Sequence, residues 1–156
     1  MNSGHMLITI AGAILLSNLI LNVHHANTER MIATYTSESV IDASGLAQSV
    51  IDMIQSKAFD ENTVSDAVWQ VDSLTAANKL GPESGEFKHT DFDDIDDYDD
   101  YSITVSLGSI GDFDIDVNVF YVSILNPDVK SSIAIELSII NYSLLDTLKY
   151  HHIVSY

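Results

Sequence analysis

The residues with the most chemistry in the shortest span lie before Ser102, where the chain reads TDFDDIDDYDDY. Seven of the ten residues from Asp91 to Asp100 are aspartates, and Phe92, Ile95, Tyr98 and Tyr101 recur at every third position. Carboxylates at this density repel one another, and a divalent cation bound through oxygen relieves the repulsion. An EF-hand loop requires D-x-D-x-D-G with a glutamate at its twelfth position. This run has overlapping D-x-D spacings, but it contains no glycine, and Ser102 stands where the glutamate belongs. An EF-hand is therefore not expected. A looser Ca²⁺ site built from Asp93, Asp94, Asp96 and Asp97 is the metal reading. The competing reading is structural: a 3₁₀-like or extended segment tucks Phe92, Ile95, Tyr98 and Tyr101 against a core and leaves the aspartates in water. Four apolar anchors argue against simple disorder.

Other groups offer less. His24-His25 and His151-His152 are adjacent pairs. Neighbours on a helix or strand point in different directions, so neither pair chelates alone, and structural or solvent roles are expected. Cysteine is absent, and neither G-x-S-x-G, S-x-x-K nor a phosphate-binding G-x-x-x-x-G-K-[ST] occurs. Aspartates left in water lack the desolvation that tunes a catalytic pKa. An enzyme is not expected, and no cofactor beyond the Ca²⁺ is implied.

The charge balance narrows the partners. Six Lys and Arg stand against 23 Asp and Glu, a net charge of −17 with neutral histidines. Nucleic acid is excluded, because a phosphate backbone needs a basic face. Electrostatic attachment to anionic lipid is excluded on the same ground. The 156 residues make one domain, or one domain with an extension.

That extension is at the N-terminus. Met6 to Val23 reads MLITIAGAILLSNLILNV, and no Lys, Arg, Asp or Glu precedes Glu29. As helix this stretch rises about 1.5 Å per residue, which is near the minimum for a bilayer span. A secretory signal would want a basic start and a small-residue cleavage site, and MNSGH and NVHHANTER supply neither. The run does not end in a breaker. Ile32, Tyr35, Val40, Ala43, Leu46, Val50, Met53 and Ile54 continue it with helical spacing. One helix from Gly4 to Lys57 is expected, greasy in its first half and amphipathic in its second. It would be ~80 Å long, more than a compact domain of this size can bury. Asn18, Asn22, His24, His25, Asn27 and Thr28 are modest helix formers. Either a bend or a merely weaker stretch of continuous helix fits them.

Residues 58–100 lose the periodicity and read as a long connection with at most one short turn of regular structure. After Tyr101 the period becomes two. Strands are expected over 102–107, 113–124, 131–140 and 147–156, joined by short turns into an antiparallel meander. The expected fold is α+β, a long N-terminal helix packed by its second half on a four-stranded antiparallel β-sheet. The division is a hydrophobic helix half at 1–28 and a globular domain at 29–156, with its helix at 29–57, its loop at 58–100 and its sheet at 101–156.

Several features together resemble the type IV pilins and pseudopilins. They are Gly4 ahead of the apolar run, the long helix to Lys57, the phrases AQSVIDMIQSKAFDE and LGPESGE, and FDDIDDY. The last is similar to an acidic phrase in minor pilins of the mannose-sensitive haemagglutinin type. The chain holds Thr9 where the family places a glutamate, and it lacks the family's helix proline. The resemblance implies a pilin-like fold and processing between Gly4 and His5. It implies storage in the cytoplasmic membrane through Met6, Leu7, Ile8, Ile10, Ile14, Leu15, Leu16, Leu19, Ile20, Leu21 and Val23. It further implies extraction by a pilus assembly machinery and homopolymerisation into an adhesive cell-surface filament. Two alternatives stay open: a minor or tip pilin or secretion pseudopilin, and a membrane-anchored exported binding domain.

Overall fold

The structure is a computed structural model that describes residues 3–64, 68–70, 73–108, 110–122 and 130–156. Its first element, α1, is a single α-helix over Ser3–Gln55. Leu, Ile and Ala are frequent in the segment, and proline is absent from it, so no backbone donor is lost. The polar zone does not interrupt it. Ser17 Oγ donates to the Ala13 carbonyl at 2.8 Å, Asn18 Nδ2 to that of Ile14 at 3.0 Å, and Thr28 Oγ1 to that of His24 at 3.1 Å. Side chains that fold back on the preceding turn satisfy themselves without breaking the helix.

The chain divides into two compact units, 1–38 and 39–156, so the boundary falls further along α1 than the expected 28/29. The described residues of the first unit are helix alone, and their large apolar side chains are exposed. In the second unit α1 buries Ser39, Ala43, Ala47, Val50, Ile51 and Ile54, at steps of three and four that define one face. The packing stripe therefore starts at Ser39. Ile32, Tyr35 and Val40, expected to belong to it, are exposed.

This face covers a sheet of β1 (Ser102–Leu107), β2 (Gly111–Tyr121), β3 (Ser132–Ile140) and β4 (Leu148–Ser155), antiparallel and in sequence order. Alternation explains β2: Phe113, Ile115, Val117 and Val119 are buried, and Asp112, Asp114, Asp116 and Asn118 face out. Ile133, Ile135, Leu137 and Ile139 of β3 complete the apolar face under α1. Register pairs Ile115 with Ile139 and Val117 with Leu137, which sets buried side chains opposite one another. Ser44 Oγ lies 2.9 Å from the Tyr150 hydroxyl, and Gln55 contacts His152, so polar groups also tie α1 to β4. The α+β arrangement is as the sequence led one to expect. The expected end of the second strand, 123–124, and most of the turn after it lie outside the described residues.

Candidate functional site

Between α1 and β1 the chain crosses the edge of the sheet, and the acidic run does the crossing. Ala58 N donates to the Asp93 carbonyl and Ile95 N to that of Ala58, both at 3.0 Å, forming a short parallel bridge. Lys57 Nζ holds the Phe92 carbonyl at 2.5 Å. A 3₁₀ turn follows over Asp96–Tyr98. The chain then covers the part of β2 that β1 does not reach. Val119 N donates to Asp99 Oδ1 at 2.9 Å, and Val117 N to the Tyr101 carbonyl at 2.8 Å. The run thus protects an open sheet edge.

The anchors behave as their spacing suggests. Phe92, Ile95 and Tyr98 are buried, and Tyr101 is half-buried. The rings of Phe92, Tyr98 and Tyr101 meet edge to face with centroids 5.0 to 5.9 Å apart. The aspartates do not all stay in water, and here the expectation is corrected. Asp93 is exposed, but Asp94, Asp96 and Asp97 are buried. A 3₁₀ turn has three residues per turn, so pulling every third side chain inward in a segment packed on β2 also encloses those between.

The buried aspartates bond mainly to their own backbone. Asp97 Oδ2 accepts from Asp93 N at 2.9 Å and Asp94 N at 3.2 Å, and Asp94 Oδ1 accepts from Asp97 N at 3.1 Å. Asp94 Oδ2, Asp97 Oδ1 and both oxygens of Asp96 are buried with no donor. Such atoms are costly unless a proton or a cation reaches them.

A second loop brings more carboxylates. GPESGE turns through Gly81 at φ 116° and Gly85 at φ 124°, a region that favours glycine. Glu83 N donates to Glu86 Oε2 at 3.0 Å, and Glu86 N to the Glu83 carbonyl at 3.2 Å. Glu83, Glu86 and Asp97 each offer an oxygen, and these lie within 4.8 Å of one another. Glu83 Oε2 is likewise buried without a donor.

Electrostatics follow from this crowding. Burial, then the Asp96 and Asp97 carboxylates, pushes Asp94 up to about 10. Burial, with the charges of Asp60, Glu83 and Asp97, moves Asp96 to about 6 against the opposing bond from Asp94. Burial, then Asp97 and Asp94, lifts Glu83 to about 8. Glu61 and Glu86 are raised, again by burial first.

Of the four aspartates proposed from sequence, the structure gathers Asp94, Asp96 and Asp97 and leaves Asp93 at the surface. Glu83 and Glu86 were missed, and the flanking Gly81-Pro82 and Gly85 were the signal that a shaped loop presents them. Asp60 was missed as well; it is fully buried at the start of the short helix α2 (Glu61–Val64). Among the described residues the histidines join no metal-binding cluster: His25 faces Glu29 at 3.1 Å and His151 faces Glu136 at 3.9 Å. Gly4 and His5 lie exposed on α1, and a Cβ added at Gly4 would meet nothing within 4 Å beyond the helix itself. The apolar side chains from Met6 to Val23 are all exposed, and α1 is long and apolar enough to cross a membrane. No family model matches the chain, and no curated protein or solved structure matches it.

Proposed function

We propose that the chain is a structural subunit of a type IV pilus-like filament, polymerising through the apolar half of α1. The observation that carries this reading is the most apolar 18-residue window of α1, none of which is buried by the chain itself. The unit from Ser39 onward already has a complete core of its own, so that surface must find its cover elsewhere. Lipid covers it first, in the cytoplasmic membrane. Sister helices cover it after an assembly machinery extracts the subunit and the filament extends from the cell surface. Each Leu or Ile so buried stabilises the polymer by roughly 1.5–3 kcal/mol relative to exposure to water. Ala11, Gly12 and Ala13 keep part of the helix slim enough for close approach. Gly4–His5 is the proposed processing point.

Deleting residues 1–28 tests the reading. The full chain should sediment as filaments from sheared surface fractions, visible by negative stain, while the shortened chain should be a soluble monomer. A full chain that is monomeric in detergent-free buffer would sink the proposal. A chain that stays in membranes, never enters filaments and keeps a binding activity without residues 1–28 would identify an anchored binding domain instead.

A further inference from the structure

The buried carboxylates beside β2 have no part in polymerisation through α1, and they pose a separate question. Within the described residues, no Lys or Arg nitrogen makes an ion pair with Asp94, Asp96, Asp97, Glu83 or Glu86. Lys57, the cation next to the Ala58–Asp94 bridge, has its ammonium on the Phe92 carbonyl. Five oxygens from four of these carboxyl groups are buried with no donor. Asp97 carries the most pointed signal. It is fully buried, and one oxygen is held by two backbone amides while the other, Oδ1, has nothing. Backbone amides that fix one carboxylate oxygen orient the other, and here the neighbours of that side chain are Glu83 and Glu86.

We propose that Glu83, Glu86 and Asp97 bind a Ca²⁺ ion, with Asp94 and Asp96 supplying further negative charge beside it. The dimensions agree. Ca²⁺ takes oxygens at about 2.3–2.6 Å, so two ligands on one ion lie no more than about 5 Å apart. The three offered oxygens meet that limit at 4.8 Å. The donor set is oxygen only, without histidine or cysteine, which points away from zinc and copper. The ligands come from a glycine-punctuated loop and a 3₁₀ turn, an irregular frame that suits the loose coordination of Ca²⁺ better than the octahedron Mg²⁺ demands. The ion would join two stretches of the long connection, GPESGE and the acidic run, and so fasten the cover over the β2 edge. The site stands whether or not the filament reading holds.

The rival account is that protons alone neutralise the cluster. Both are tested on the full chain in detergent micelles, stripped with chelator and returned to neutral buffer. Tb³⁺ should bind and be sensitised by Tyr98 and Tyr101, Ca²⁺ should displace it, and Ca²⁺ should raise the melting temperature more than equal Mg²⁺. Glu83→Gln and Glu86→Gln should each weaken Ca²⁺ binding by about tenfold or more. A glutamine amide can still donate to Asp97 as a protonated glutamic acid would, so both variants should fold. Asp114→Asn, on the exposed face of β2, should bind as the parent does. A stripped chain whose melting temperature ignores millimolar Ca²⁺ overturns the proposal in favour of protons. Parent-like affinity in both glutamine variants overturns it in favour of diffuse binding to surface aspartates.

Discussion

Asp60 and Asp96 are both buried carboxyl groups, and their surroundings could hardly differ more. Asp60 Oδ2 accepts from Thr75 N at 2.8 Å and the Tyr121 hydroxyl at 2.6 Å, and its Oδ1 accepts from Asn62 N at 3.1 Å. Among the described residues Asp96 has no amide or hydroxyl donor, only the neighbouring Asp94 carboxyl. Asp60 is therefore a structural tie, and Tyr121→Phe should cost about 1–3 kcal/mol in denaturant unfolding by removing one donor to a carboxylate. Asp96 belongs to a group whose behaviour shows in pH. Asp94, Asp96 and Glu83 all have folded pKa values above their ordinary range, at about 10, 6 and 8, with burial the leading cause. Facing them are Asp60, Glu61, Glu86, Asp93 and Asp97, and from β2 the Tyr121 hydroxyl, itself pushed up by burial and Asp60. The native state then holds protons that the unfolded chain gives up above about pH 4. Their stabilisation is complete below that value and is lost as pH rises through about 6, 8 and 10. Stripped of metal, the full chain should melt at a lower temperature at pH 8 than at pH 5.5. A flat or rising trend across that window would show that the cluster is not strained by its own charge.

The elements separate what a pattern can show from what it cannot. Phe113, Ile115, Val117 and Val119 alternate with polar residues, and this local rhythm made β2 legible because each side chain's face depends only on parity. The α1 stripe was legible in period but not in extent. Ile32, Tyr35 and Val40 have the same spacing as Ala43 and Val50, yet they are exposed. Spacing says which face a residue occupies, not where a partner begins. Buried Asp94, Asp96 and Asp97 were illegible for a similar reason. Their burial comes from the Ala58–Asp94 bridge and the contact with Val119, both long-range. Glu83 and Glu86 join Asp97 across a loop, with no periodicity to announce it. Two glycines test the elements directly. Gly111, at φ 91°, opens β2, and an added Cβ would stand 2.7 Å from Tyr142 Cε1. Tyr142 is exposed and can swing aside, so the backbone carries most of the cost, and Gly111→Ala should destabilise by about 1–2 kcal/mol. Gly45 sits exposed on α1, an added Cβ would meet nothing within 4 Å beyond the helix itself, and Gly45→Ala should stabilise by about 0.5–1 kcal/mol. Opposite signs in the same unfolding assay are the expected result.

For the whole molecule the decisive quantity is charge. Each chain carries a formal charge of −17, and part of it, on Asp112, Asp114 and Asp116, projects from the outer face of β2, where among the described residues Ser106 and Thr104 hydroxyls answer two of the three. In a filament built as proposed, neighbouring subunits present these surfaces to one another at close range. Apolar cohesion along α1 opposes their repulsion, and salt sets the balance. The screening length grows from about 10 Å at 0.1 M to about 30 Å at 0.01 M ionic strength, so dilution lets more charges on adjacent subunits see one another. Filaments should therefore shorten and release subunits when dialysed from 0.15 M salt into salt-free buffer with chelator, read by filament length in negative stain and by the sedimentable fraction. Restoring NaCl should recover the screening. Ca²⁺ at matched ionic strength should recover more, because it also neutralises the interior cluster that monovalent salt does not reach. Filaments indifferent to salt-free buffer with chelator would mean that the acidic surfaces do not approach each other in the polymer, and the proposed packing would have to change.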